Sequence, residues 1–180
     1  MPGTRNDFGQ MYDHELNPKK GWGPGSPNSL EKVLSIKTGE TGIYAGSAVY
    51  IDSNNQFVLG AGTESTTQGY PPLFAFQSQN DFDVNPDLGN IAGGVLMALS
   101  CLGCFELETT EISASQSFSA GKFLTPHTDG TLKTGTLGTN IICGIVSEKG
   151  SNSDGSFENE HGQDIVRFWT CYFPSALTAS

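Results

Sequence analysis

The sequence predicts an all-β chain, a compact β-sandwich or barrel-like domain with an internally duplicated hairpin unit and an extended N-terminal arm. Short apolar runs are broken throughout by Gly, Asn, Asp and Ser, as in chains of short strands and tight turns. Glycine is frequent, with 23 residues in 180, and charged residues make up 16%, against about 25% in an ordinary domain. No long stretch is rich in Ala, Glu, Lys and Leu. The length suits one domain with a real core and is short for two.

The elements follow in order. Residues 1–29 read as an arm, and residues 30–180 as a single all-β domain. In the arm, GWGPGSPN sets Gly and Pro around Trp22, and Pro2 and Pro18 interrupt what precedes it. Proline fixes φ and removes a donor, so a regular helix or a central strand is excluded here. An extended segment that carries Phe8, Met11, Tyr12, Leu16 and Trp22 is expected to lie on something, either its own domain or a neighbour.

From Leu30 the strand signals begin. EKVLSIKTG is followed by IYAGSAVYID, QFVLG and PPLFAFQSQ, with polar loops between them. IAGGVLMALSCLGCF, residues 91–105, is too short and glycine-rich to span a bilayer and reads as buried strand segments. CFELETTEI, AGKFLTPH, TLKTG and IICGIVSEK come next. In the closing DIVRFWTCYFP, apolar residues occupy odd and even positions alike, which predicts a strand covered on both faces. If a subunit interface covers one of them, Arg167, Trp169 and Tyr172 are its candidates, since these residue types are enriched at interface anchors.

The order contains a repeat, placed at about residues 30–90 and 105–174. AGSAVYIDSNNQFVLG begins at Ala45 and AGKFLTPHTDGTLKTG at Ala120, without gaps over sixteen residues. Gly46 falls on Gly121, Val49 on Leu124, Phe57 on Leu132 and Gly60 on Gly135. After a shorter loop, LFAFQS matches ICGIVS. A duplicated β unit is the reading.

The repeat also decides what HTDG is. His127, Thr128 and Asp129 side by side resemble material for catalysis, but in the first copy Asp52 to Asn55 hold the same slot and share no such chemistry. Both sets suit a tight turn, because Asn, Asp and Gly tolerate positive φ. HTDG is expected to be a hairpin turn.

Composition and motifs narrow the function. A formal charge of −10 repels phosphate backbones, and no basic stripe offsets it, so nucleic acid is not an expected partner. The N-terminus lacks the apolar core of a secretory signal. With no spanning stretch either, a soluble protein made in a cytosol and free of membrane is expected. No GxSxG elbow, HExxH helix or phosphate-cradling loop occurs around His14, His127 or His161, and no enzyme or cofactor is expected. Asp154, Glu158, Glu160 and Asp164 offer oxygens to a calcium ion, but without the spacing of a calcium loop they read as a solvated hairpin. Cys101 and Cys104 have a metal-like spacing with no matching second pair. Cys143 and Cys171 lie in apolar strands, so all four are expected to be reduced and free of metal.

Taken in order, GNIAGGVLMAL, FELETTEI, AGKFLTP with DGTLK, IICGIVSE and VRFWTCYFP resemble the capsid decoration, or cement, proteins of tailed bacteriophages. The resemblance covers roughly residues 40–174 and leaves out the arm. It implies an all-β virion protein, made in the host cytoplasm, that binds the outer surface of an icosahedral head and stabilises it. The partners implied are the major capsid protein and further copies of the chain, a trimer before a dimer. There are no catalytic residues to carry over. The arm, with Phe8, Tyr12, Trp22 and Pro24, is then the expected capsid-binding element. The rival reading is a β-sandwich receptor- or glycan-binding module of a fibre or tail, using rings and loop residues such as Tyr70 and His161.

Overall fold

The computed structural model describes residues 16–20, 31–40, 42–60, 71–76, 95–102 and 105–175, with backbone only at 16–20, 31–33 and 95–97. The described chain is all-β, in two antiparallel sheets. Its strands are β1 (Leu16–Lys20), β2 (Glu31–Ser35), β3 (Ala48–Ile51), β4 (Phe57–Leu59), β5 (Leu73–Ala75), β6 (Val95–Ser100), β7 (Glu106–Thr109), β8 (Phe123–Pro126), β9 (Leu132–Gly135), β10 (Ile142–Val146), β11 (Phe157–Glu158) and β12 (Asp164–Phe173).

The first sheet runs β2-β6-β5-β3-β4. The second runs β1-β7-β12-β10-β8-β9, with β11 paired to β12 beside this path. Neither order returns to its starting strand, so each sheet is open among the described residues.

Both expected turns are hairpins. β3 and β4 pair Val49 with Leu59, Tyr50 with Val58 and Ile51 with Phe57. β8 and β9 pair Leu124 with Thr134, Thr125 with Lys133 and Pro126 with Leu132. Every position in the second set lies 75 after its counterpart in the first (124 − 49). Asn55 and Gly130 hold the same turn position, with φ of 57° and 82°. Different side chains fasten the two turns. Asp52 Oδ1 accepts from the amides of Asn54 and Gln56, whereas Asp129 Oδ1 accepts from the amide and hydroxyl of Thr131. HTDG is the bend between two strands.

Two apolar clusters organise the sheets. One gathers Ile36, Ile43, Val49, Phe57, Leu73, Ala75 and Ala98 on one face of the first sheet. The larger one sets Ala48, Phe74 and Leu99, from the opposite face of that sheet, against Leu107, Leu124, Val146 and Phe168 of the second. Phe74 meets Phe168 edge to face, with ring centroids 5.3 Å apart, a geometry that adds to simple area burial.

The hairpins also lock together through their backbones. The Ala48 amide donates to Gly130 O (2.7 Å), while Ala48 O accepts from the Gly60 amide (2.8 Å). The β8–β9 turn therefore lies on the end of β4. A Cβ on Gly60 would stand 2.5 Å from His127 O, and one on Gly130 would stand 2.5 Å from Leu59 Cδ1.

Three expectations need correction. The closing strand is not covered on both faces. Val166, Phe168 and Thr170 are buried, while Trp169 and Phe173 remain 36% and 40% exposed. The first sheet covers one face of the second, while on the other face of this strand Ile165 is buried, Arg167 and Cys171 are half-buried, and Trp169 and Phe173 are partly exposed. The arm is not wholly separate from the domain either, since Leu16–Lys20 pairs as β1 with β7. Pro18 is tolerated there because β1 is an edge strand, and the register shifts between Pro18 and Lys20, as expected for proline at an edge. Finally, the first set of strands runs past residue 90, because β6 completes its sheet.

Gly60 gives a direct test of the interlock. Gly60→Ala should cost about 2–4 kcal/mol, since φ is +79° and the added carbon meets fixed backbone. Gly39→Ala, also at positive φ but with open space around it, should cost only about 1 kcal/mol. Denaturant unfolding of the two variants would measure the difference.

Candidate functional site

The face of the second sheet turned away from the first is built by strand register. Phe123 opposes Ile145 across β8 and β10, Ile145 opposes Trp169 across β10 and β12, and Trp169 opposes Glu106 on β7. Residues directly opposite in a sheet point to the same side, so Phe123, Ile145 and Trp169 form one row. Phe173 extends it, its ring edge-on to that of Phe123 at 6.2 Å. Phe123 and Ile145 are half-buried, and Trp169 and Phe173 are among the most exposed large apolar side chains of the described residues. Glu106, at the end of the row, is buried.

Arg167 borders this row and is held firmly. Its Nε and Nη2 donate to Glu108 Oε1 at 2.6 and 2.5 Å, and its Nη1 reaches Glu148 Oε1. Its guanidinium also lies 4.6 Å from the centroid of the Phe157 ring. Glu108 is only 4% exposed, so this pair lies largely out of water. The three interface candidates therefore separate. Trp169 is 36% exposed, Arg167 closes an ion pair, and Tyr172 packs against the core between the sheets. Burial there raises the Tyr172 hydroxyl above its ordinary pKa, and nearby Cys101 adds to the effect. Phe8, Tyr12, Trp22 and Pro24 lie outside the described residues, as do Cys104 and Tyr70. Sequence reading did not bring Phe123, Ile145 and Phe173 together with Trp169, because their meeting depends on which strands become neighbours.

The remaining candidates are structural parts of their loops. His127 Nδ1 lies 2.9 Å from Asp129 Oδ1 across the turn. Partial burial works to raise the Asp129 pKa, but the hydrogen bonds from Thr131 and the neighbouring His127 outweigh it and lower it. Asp154 is lowered by the amide and then the hydroxyl of Ser156. Asp164 Oδ1 accepts from Asn152 Nδ2 at 2.7 Å, and His161 is 3.7 Å from Glu160. Burial pushes the thiols of Cys101 and Cys143 well above their ordinary range, which keeps them protonated and poorly nucleophilic. A cavity of about 390 Å³ lies between residues 110–115 and Asp154, Gln163 and Asp164, with no aromatic residue in its lining. It offers a sugar hydroxyls to bond but no ring to stack on.

Comparison of the chain with protein-family models, curated proteins and solved structures finds no match.

Two measurements test these assignments. Arg167→Ala should destabilise the fold by about 3–5 kcal/mol, because it removes the ion-pair partner of a buried carboxylate, and adding Glu108→Gln should recover part of the loss. A denaturation double-mutant cycle would read this. Asp129 and Asp154 have lowered folded pKa values, so each contributes stability that is full above its unfolded pKa. That contribution is lost as pH falls through the folded value. Asp154→Asn should flatten the decline of melting temperature below about pH 4 relative to the unaltered chain.

Proposed function

We infer that the chain is a structural virion protein of the decoration type, which binds the outer surface of an icosahedral phage head and stabilises it. The observation that supports this most is the row Phe123–Ile145–Trp169 with Phe173, an uncharged and partly exposed aromatic surface on a hydrogen-bonded sheet. Apolar patches of this kind on soluble proteins serve association. The order of sequence segments resembling decoration proteins supplies the class of partner, the major capsid protein. A cement protein acts by adhesion, so its requirements are contact surface and mechanical integrity. An antiparallel sheet pinned by side-chain and backbone locks suits the second.

The arm is the proposed attachment element. Since residues 16–20 pair with β7, the attachment role is assigned to the arm outside β1. The segments to remove are therefore 1–15, or the stretch around Trp22, rather than the whole of residues 1–29. For the second reading, a glycan-binding module, the polar cavity beside Asp154 is the surface to probe, its lining supplying hydroxyl and carboxylate groups without an aromatic ring.

Co-sedimentation with heads that lack the protein separates the readings. The unaltered chain should pellet with the heads. A chain lacking residues 1–15 should melt at nearly the same temperature and bind more weakly, and Trp22→Ala should cost about thirtyfold in affinity if that ring is an anchor. Absence of pelleting together with retention on a glycan surface would reject the shell reading in favour of the rival.

A further inference from the structure

The two hairpins are part of a longer correspondence, which separates β1 from the strands around it. In the first sheet β2 pairs β6 with Glu31 opposite Leu99, Lys32 opposite Ala98 and Leu34 opposite Leu96. In the second sheet β7 pairs β12 with Glu106 opposite Trp169, Leu107 opposite Phe168 and Thr109 opposite Val166. The offset is 75 on one strand (106 − 31) and 70 on the other (169 − 99). Phe74 and Leu99 likewise stand opposite each other where Ile145 and Trp169 do. Five strands of each sheet therefore correspond, β2 with β7 among them. Among the described residues the first sheet ends on β2, whereas in the second sheet β1 continues past β7. The second set of five is complete without β1, which docks on its edge.

The docking edge has a definite chemistry. Leu16 stands opposite Thr109, Asn17 opposite Glu108, Pro18 opposite Leu107 and Lys20 opposite Glu106. Glu106 and Glu108 are buried, at 6% and 4% exposure. The strand laid along them, LNPKK, holds two of the nine basic residues of a chain with net charge −10. Like charges directly opposite destabilise a strand pair, so an edge with two glutamates rejects a second β7 and favours a strand that brings lysine. The hold on that strand is limited. Among the described strands β1 pairs with β7 alone, Pro18 has no amide to donate, and the register shifts between Pro18 and Lys20. A terminal strand bonded along one side opens more readily than the strands inside a sheet.

We propose that the edge of β7 is a strand-acceptor site shared between copies of the chain, so that residues 16–20 of one copy dock on β7 of another. Exchange makes the same backbone pairs and the same charge match as docking within one chain, and differs from it only through the tether. The tether is long enough for both. Lys20 and Glu31 stand opposite Glu106 and Leu99. Residues 100–105 close that gap with six residues (105 − 99), and the arm has ten for it (30 − 20). Fully extended, ten residues reach about 35 Å, roughly the width of a small domain. A short tether holds its own strand at an effective concentration on the order of millimolar, so exchange belongs to copies held close together. Chains of net charge −10 otherwise repel, and a lysine-bearing strand on an acidic edge is a contact where opposite charges meet. The exchange does not require a shell, and on a head decorated as proposed above it would tie neighbouring copies together.

The test uses full chains carrying Leu16→Cys and Thr109→Cys, prepared in isotopically light and heavy forms, with thermal melts of every variant. The two forms are mixed at millimolar concentration and oxidised, and the linked peptides are mapped by mass spectrometry. A linkage of positions 16 and 109 that joins a light to a heavy peptide forms only between copies. Such mixed linkages should be abundant, and hundredfold dilution before oxidation should lower them at least about tenfold as closure within one chain takes over. Adding Lys19→Glu and Lys20→Glu should lower linkages of both kinds at least about tenfold, since like charges then face each other. Should Thr109→Cys fail to fold, Lys20→Cys with Glu106→Cys reads the next pair in the register. In a folded chain, light–light and heavy–heavy linkages alone, or no linkage at either pair of positions, would overturn the proposal. Shell co-sedimentation is scored separately, so exchange without binding to heads rejects only the function, and binding without exchange rejects only the sharing of β1.

Discussion

Much of the fold depends on one contact, the seating of Ala48, Phe74 and Leu99 against the front of the second sheet. A single antiparallel sheet leaves two faces in water and cannot hold its strands by backbone bonds alone. Here the first sheet supplies the cover for the second, and the shared cluster contains several of the largest fully buried side chains, among them Phe74, Phe118, Phe168 and Leu99. The small Ala48 side chain sits where the β8–β9 turn approaches, and its amide and carbonyl serve both hairpins. Packing and backbone bonding therefore meet at one strand.

The same contact explains why the other face of the second sheet differs. Covering one side of a sheet lets the opposite side be polar, as in most two-layer β proteins. β12 departs from this. Its outward positions include Trp169 and Phe173 beside an arginine engaged by two carboxylates. Arg167 fits a supporting role, since its pairing with the buried Glu108 holds the edge of the row in place.

The loops around the sheets use their polar groups internally. Asp52, Asp129 and Asp154 each accept backbone amides two residues on, a local pattern by which Asp shapes turns. Acidic and histidine-bearing stretches that look chemical in the sequence thus form turns in the fold. The buried thiols behave likewise, as small apolar fillers with protonated sulfur.

Sequence alone determined the strand-rich class and the two hairpin turns, HTDG among them. Those features are local: period-two patterning, Gly and Asn at positive φ, and a repeat that aligns without gaps through Phe57 and Leu132. It also marked β12 as unusual, but took its two apolar faces to mean burial on both sides. Only the tertiary structure decided which face is covered, because that depends on how the two sheets stack and not on any one strand. It likewise drew residues 16–20 of the arm into the sheet. Their backbone pairing with β7 follows from a free strand edge some 90 residues away (106 − 16), which no local pattern encodes. The row of Phe123, Ile145 and Trp169 has the same origin, since three strands distant in sequence become neighbours only when long-range pairing sets their order.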